Sequence, residues 1–275
     1  MISNFKFLET LFSSQDYDNR SFFLIAGPCV VESEELCNQV AIEIKQICAE
    51  LGIPFVFKSS YKKANRTSVQ SFTGIGDINA MQILDSIKQN YNIPVLTDFH
   101  TEQEAQLAAK YVDILQVPAF LCRQTELLQC AAQTNRIINI KKGQFMSAPS
   151  MKFAVDKIKS CANDKIILTE RGNSFGYQDL VVDLRNIKIL QDFEVPVVMD
   201  CTHSNQQPNQ QHGISLGTPQ FIEVMARAAV ANDVDGIFIE THPNPAQAKS
   251  DGANMLPLNK LKDLLQTLLK IRKAL

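Results

Sequence analysis

Pro196-Val197-Val198-Met199-Asp200-Cys201-Thr202-His203 is a short apolar, β-branched run that stops on polar and charged side chains. Seven more stretches read the same way: Phe22–Cys29, Pro54–Ser60, Pro94–His100, Ile114–Phe120, Ile137–Gly143, Lys165–Asn173 and Gly236–His242. Runs so continuously apolar suit strands covered on both faces, the condition of a parallel sheet. Successive starts lie 20 to 40 residues apart, and each gap holds a segment of helical periodicity. Eight β-α units in series predict an α/β fold, a single (β/α)8 TIM barrel spanning residues 1–275.

Local chemistry supports the helices. Leu36, Val40, Ile44, Ile47 and Leu51 recur every three or four residues behind a capping Ser33, and Gly52-Ile53-Pro54 stops the helix. Thr101 and Glu104 form a capping box. Thr218-Pro219 is expected to open Phe221–Val230 in the same way. Leu258, Leu261, Leu265, Leu268 and Ile271 bury one stripe of the last helix. Residues 1–20 are expected to form a short extension covering the bottom of the barrel.

Composition narrows the class. With 275 residues, 45% of them hydrophobic, the chain has ample core for one barrel. A formal charge of −2 argues against a nucleic-acid or membrane-surface partner. Lys6, Glu9, Asp16, Asp18 and Arg20 interrupt the first twenty residues, so neither a signal peptide nor a membrane span is expected and a cytoplasmic location is. Seven cysteines, an odd number, fit reduced thiols rather than a disulfide framework.

In such barrels chemistry gathers at the carboxyl ends of the strands, so the tips form one surface. One group of tips is cationic: Lys58, Lys63 and Arg66 after the second run, Arg123 after the fourth, Lys141 and Lys142 on the fifth, and Arg171 on the sixth. So many cations at one mouth of a nearly neutral protein are built to hold anions. Which of Lys141 and Lys142 faces that mouth stays open. A second group, Cys29, His203, Glu240 and Asp251, offers a thiolate, an imidazole and two carboxylates, the donor set of a divalent transition metal. The same four residues also read as a core thiol, an acid-base imidazole, a lysine partner and a turn cap. Ser204–Ser215 and Gly172–Gly176 have the composition of moving loops.

Several of these stretches carry a likeness. Ala26-Gly27-Pro28-Cys29, Lys58-Ser59-Ser60, Lys63-Ala64-Asn65-Arg66-Thr67-Ser68, Pro118-Ala119-Phe120-Leu121-Cys122-Arg123, Arg171-Gly172-Asn173-Ser174-Phe175-Gly176-Tyr177 and Asp200-Cys201-Thr202-His203 closely resemble the 3-deoxy-D-manno-octulosonate 8-phosphate synthases. The resemblance implies condensation of phosphoenolpyruvate with D-arabinose 5-phosphate, with release of inorganic phosphate, on the route to the Kdo sugar of lipopolysaccharide. By the family pattern Lys58, Ser60, Lys63, Gln116, Lys141 and Arg171 hold phosphoenolpyruvate. Asn65, Arg66, Thr67 and Asp98 hold the sugar phosphate, and Arg123 reaches in from a neighbouring subunit of a homo-oligomer, usually a tetramer. The reacting centre is expected at Cys29, Lys63, Asn65, Asp98 and His203. The family has metal-dependent members and metal-free ones, the latter with Asn at the position of Cys29. Cys29 with His203, Glu240 and Asp251 implies the metal-dependent branch, with Zn, Fe(II), Mn or Co as the ion. Three other readings stand beside this one: the related enzyme that uses erythrose 4-phosphate, a Schiff-base aldolase with Lys141 or Lys142 as nucleophile, and a barrel that binds sugar phosphates without turnover.

Overall fold

A computed structural model describes residues 5–64, 71–176, 179–207 and 216–275. Eight parallel strands, β1 (Phe23–Gly27), β2 (Phe55–Lys58), β3 (Val95–Asp98), β4 (Ile114–Val117), β5 (Ile137–Lys141), β6 (Ile166–Glu170), β7 (Val197–Asp200) and β8 (Gly236–His242), fall within the eight runs. They pair in chain order, and β1 returns to β8 with Phe23 opposite Gly236 and Gly27 opposite Glu240, which closes the barrel. Helices α1 (Lys6–Leu11), α2 (Glu34–Leu51), α3 (Asp77–Tyr91), α4 (Glu102–Ala108), α5 (Thr125–Gln133), α6 (Lys152–Lys159), α7 (Arg185–Gln191), α8 (Ile222–Ala231) and α9 (Leu261–Lys273) complete the fold.

The caps form where their chemistry allows. Ser33 accepts the Leu36 amide at 3.2 Å, and α2 ends on Gly52 at φ +65°, a conformation that Gly adopts without Cβ strain. Thr101 and Glu104 cap α4 reciprocally. Thr218 departs from expectation: its hydroxyl donates to the Asn205 carbonyl at 3.4 Å, and a 3-10 turn over Pro219–Phe221 leads into α8 without a side-chain cap. The Gly172–Gly176 stretch supplies a short strand, Asn173–Phe175, that pairs antiparallel with Asp179–Val181. Of Ser204–Ser215, residues 208–215 lie outside the described residues.

Side chains alternate across each strand, so one set lines the barrel and the other meets the helices. Leu24, Phe57, Ile140, Leu168 and Ile239 belong to the outer, helix-covered core. The inner set is a separate cluster: Phe23 and Ile25 from β1, then Val56, Leu96, Ile114, Ile137, Ile167, Val198 and Phe238 from the other seven strands in turn. Leu8 and Phe12 of the N-terminal segment join that cluster from below, with the Phe12 ring 5.6 Å from that of Phe23. The segment thus seals the end of the barrel where the strands begin. A cavity of about 560 Å³ beside it, lined in part by Phe7, Leu11, Lys88, Asp113, Arg136 and Lys165, lies at this lower end, remote from the reactive tips. Among the described residues no helix is long and apolar enough to cross a membrane.

Candidate active site at the barrel mouth

Two residues beyond the apolar inner side chain of every strand except β1, the same inward parity delivers a polar one. Val56 is followed by Lys58, Leu96 by Asp98, Ile114 by Gln116, Val198 by Asp200 and Phe238 by Glu240. On β5 the series runs Ile137, Asn139, Lys141, and along β6 and the residue after it Ile167, Thr169, Arg171. Lys141 therefore faces the barrel axis and Lys142 faces away. Lys58, Asp98, Gln116, Lys141, Arg171, Asp200 and Glu240 are all buried, so each charge must find a partner inside the protein.

The partners are specific. Lys58 Nζ lies 2.7 Å from Glu240 Oε1 and donates to the Cys29 carbonyl and Ser60 Oγ at 3.3 Å. Strand β1 must come close for this: a Cβ on Gly27 would lie 2.0 Å from the Lys58 carbonyl oxygen, so only glycine fits there. Lys63 Nζ donates to Ser60 Oγ at 2.9 Å, and Ser60 Oγ donates to Asp98 Oδ2 at 3.0 Å. Lys141 Nζ meets Asp200 Oδ2 at 2.6 Å and stands 3.9 Å above the centroid of the Phe238 ring. Arg171 donates through Nη2 to Gln206 Oε1 at 3.0 Å and, more weakly, to the His203 carbonyl at 3.4 Å. Its Nη1 is buried and finds no hydrogen-bond partner among the described residues. Gln116 accepts the Asn139 amide at 3.3 Å.

Burial and neighbouring charge compete at every titratable group here. Burial works against the Glu240 and Asp200 carboxylates, yet their neighbours hold both far below the ordinary range: the Lys58 and Lys63 ammonium groups for Glu240, and Lys141, the His203 ring N–H and Arg171 for Asp200. Burial likewise opposes the charge of Lys63, but Cys29, Glu240, Asp98 and Asp251 outweigh it and raise its pKa, so the ammonium persists at any physiological pH. The Cys29 thiol is pushed up, first by burial and then by Glu240. Burial pulls Lys141 and Arg171 down against the pull of Asp200.

Cys29, Glu240 and Asp251 bring one ligand atom each to within 4.8 Å of one another. Cys29 Sγ is 3.0 Å from Ser250 Oγ and 3.6 Å from Asp251 Oδ2. His203 stands beside this trio: its Nε2 is 3.6 Å from Glu240 Oε1, while Nδ1 is 2.9 Å from Asp200 Oδ2. With Nδ1–H directed at that carboxylate, Nε2 is left as the acceptor facing the trio, the orientation that carboxylates impose on metal-ligating histidines. Glu240 Oε2 is buried and lacks a hydrogen-bond partner among the described residues. An orphaned carboxylate oxygen beside a thiol and a second carboxylate fits a divalent cation and is costly without one.

The remaining expected positions divide. Asn65, Arg66 and Thr67 lie outside the described residues. Arg123 is exposed on the loop after β4, where its carbonyl accepts Lys157 Nζ at 2.8 Å. Asp200 and Phe238 were not singled out by sequence reasoning, although Asp200 joins Lys141 to His203 and Phe238 is the floor beneath Lys58 and Lys141. Asp200 could have been found by its inward parity at a strand end, whereas Phe238 reads as ordinary core.

Comparison with known proteins places the chain in a family. The chain matches the DAHP synthetase I family over residues 14–275. It is 50% identical over 262 residues to a 2-dehydro-3-deoxyphosphooctonate aldolase of Paraburkholderia xenovorans, covering 93% of this chain and 92% of that protein. Proteins of the same name from Koribacter versatilis and Burkholderia multivorans are 50% and 48% identical, covering 92% and 93% of this chain and 91% and 92% of their own lengths.

Proposed function

The chain belongs to the DAHP synthetase I family, and on that premise we propose that it condenses phosphoenolpyruvate with D-arabinose 5-phosphate and water to give 3-deoxy-D-manno-octulosonate 8-phosphate and inorganic phosphate. The observation that carries this reading is the layer of buried cations, Lys58, Lys63, Lys141 and Arg171, at the mouth of a barrel of near-zero net charge. The substrates together bring two phosphates and a carboxylate, and such anions match cations already held in place, Lys58 and Lys141 by carboxylates and Lys63 and Arg171 by hydrogen bonds. The name shared by the relatives favours the eight-carbon product over the product of the erythrose 4-phosphate reaction.

In the reaction, C3 of phosphoenolpyruvate forms a bond to the aldehyde carbon of the sugar, and water adds at C2. The tetrahedral intermediate then loses phosphate by cleavage of its C–O bond. Lys141 and Arg171, with Lys58 and Gln116, hold the enol phosphate. Arg171 Nη1, without a protein partner, is the donor left for a phosphate oxygen. Lys63, kept protonated by the acids around it, donates to the aldehyde oxygen as negative charge develops there. Asp98, ionised and with Oδ1 unpartnered among the described residues, accepts from a sugar hydroxyl. His203, its Nδ1–H held by Asp200, turns Nε2 toward Cys29, Glu240 and Asp251 as a further donor for the ion they would hold. Asn65, Arg66 and Thr67, which lie outside the described residues, are assigned to the sugar phosphate by the family pattern. Cys29, Glu240 and Asp251, with His203 beside them, would hold a Zn, Fe(II), Mn or Co ion, which when bound supplies a Lewis-acidic positive charge near the aldehyde. The ion pair of Lys141 with Asp200 and the enclosure of Lys142 by carbonyl groups make both lysines poor Schiff-base nucleophiles.

Exposed Arg123 suits a role in the active site of a neighbouring copy, and a homotetramer is the assembly we propose. The seven unpaired thiols suit the reducing cytoplasm. Phosphate release from phosphoenolpyruvate, measured with arabinose 5-phosphate and with erythrose 4-phosphate, each with and without chelator, tests the reading. Release that requires arabinose 5-phosphate and disappears with chelator is expected. Preference for the four-carbon sugar, or no release with either, overturns the substrate assignment, and full activity in chelator overturns the metal.

A further inference from the structure

Lys142 and Glu170 sit one position off the inward parity, at the ends of β5 and β6, and so point away from the axis along which the substrates lie. Both are buried completely. Lys142 Nζ is 3.3 Å from Glu170 Oε1 and donates to Asn173 Oδ1 at 2.9 Å and to the Gly172 carbonyl at 3.1 Å. At 3.4 Å it also reaches the carbonyls of Gly143 and Met146. Glu170 Oε1 in turn accepts the Gly172 amide at 2.6 Å. Asn173 Nδ2 donates to the Met146 carbonyl at 2.7 Å, and the Ser174 amide donates to the Gln144 carbonyl at 3.0 Å.

One ammonium is therefore the node that ties the loop after β5 to the loop after β6. Arg171 lies between the two residues that the node grips, Glu170 by its carboxylate and Gly172 by its carbonyl, while Glu170 itself holds the Gly172 amide. A buried lysine is costly unless it is paired and fully hydrogen-bonded, and an apolar side chain of the same size would fill this space at less cost. That none of its bonds reaches the substrate side places the benefit in the geometry of the loops.

We propose that Lys142 is a positioning residue, which locks the loops after β5 and β6 to each other and thereby sets the Arg171 guanidinium where the phosphate of phosphoenolpyruvate binds. The inference rests on the reaction proposed above. A lysine that merely stabilised the fold would affect both substrates alike and act independently of Arg171, whereas a positioning role is specific to one substrate and runs through one side chain.

Calorimetric titration of phosphoenolpyruvate into the wild-type protein, Lys142→Met, Arg171→Ala and the double variant, with the KM for arabinose 5-phosphate measured alongside, separates the two. Loss of the clasp should weaken phosphoenolpyruvate binding on the order of tenfold, leave the KM of the sugar within about twofold, and add nothing further in the Arg171→Ala background. Asn173→Ala removes one acceptor from the clasp at a partly exposed position, so it tests the same route should Lys142→Met fail to fold; about threefold weaker phosphoenolpyruvate binding is expected. Additive losses in the double variant, or unchanged phosphoenolpyruvate binding in Asn173→Ala, overturn this proposal alone. A wild-type protein that binds no phosphoenolpyruvate overturns the functional reading and this proposal with it.

Discussion

The lower and upper halves of the barrel interior are built on the same eight strands with the same inward parity, yet one is a dry apolar plug and the other a cluster of buried charges. Two residues along a strand make the difference, as from Val56 to Lys58 or from Phe238 to Glu240. Each apolar side chain below contributes about 1.5–3 kcal/mol through burial. Above, the desolvation of Lys58, Glu240, Lys141 and Asp200 roughly offsets their mutual attraction, so that layer adds little to stability. Stability and chemistry are thus separated along one axis, and substitutions in the two halves should report on different properties.

The largest expected effect is in the upper half. Cys29→Ala should abolish metal binding and lower phosphate release on the order of 100-fold or more, with Cys29→Asn retaining some metal-free turnover, because an amide and a water can take over positioning. Elemental analysis alongside the phosphate assay checks both. In the lower half, Phe12→Ala should destabilise the fold by about 3–5 kcal/mol in urea titrations while the KM values of the folded enzyme stay unchanged; altered KM values would break the separation.

A smaller effect should appear at the outer edge of the mouth. Burial opposes the charge of Glu104, but the Tyr61 hydroxyl, Lys62 and the His100 amide outweigh it and bring its pKa from 4.5 to about 2. A carboxyl whose folded pKa is depressed contributes stability above its unfolded value and loses it as the pH falls through the folded one. Glu104→Gln should therefore flatten the acid limb of the stability profile between pH 4.5 and about 2 in denaturation series. The smallest effect is at Ser33→Ala, where loss of the cap of α2 should cost about 1 kcal/mol and leave both halves of the interior untouched.

The fold was legible because its signals are local and repeated. Eight apolar runs with polar ends, a Ser33 cap and a Thr101–Glu104 capping box each act within a few residues, and strand count and caps followed directly. Thr218 misled for the opposite reason: its hydroxyl prefers the carbonyl of Asn205, thirteen positions upstream, a contact that only the folded loop creates. In the candidate site, Lys58, Lys141, Arg171, Cys29 and Glu240 stand out in the sequence by their residue type at or just beyond strand ends. The choice between Lys141 and Lys142 waited on strand register, because a shift of one residue exchanges the inner and outer faces. Phe238 was invisible since an apolar side chain carries no mark that distinguishes a ring beneath two ammonium groups from any other core phenylalanine.

The apolar inner layer, with Phe238 as its upper face and Leu8 and Phe12 sealing it below, makes the barrel a cup open at one end only. On the proposed reaction, traffic in a cup is last in, first out: a reactant seated against Lys141 would arrive before one that stacks over it, and a fragment split off at that depth would wait until the upper occupant departs. The plug that holds the barrel together thus also imposes a queue, and the sequence of arrivals and departures becomes a property of the closed floor as much as of the charged rim.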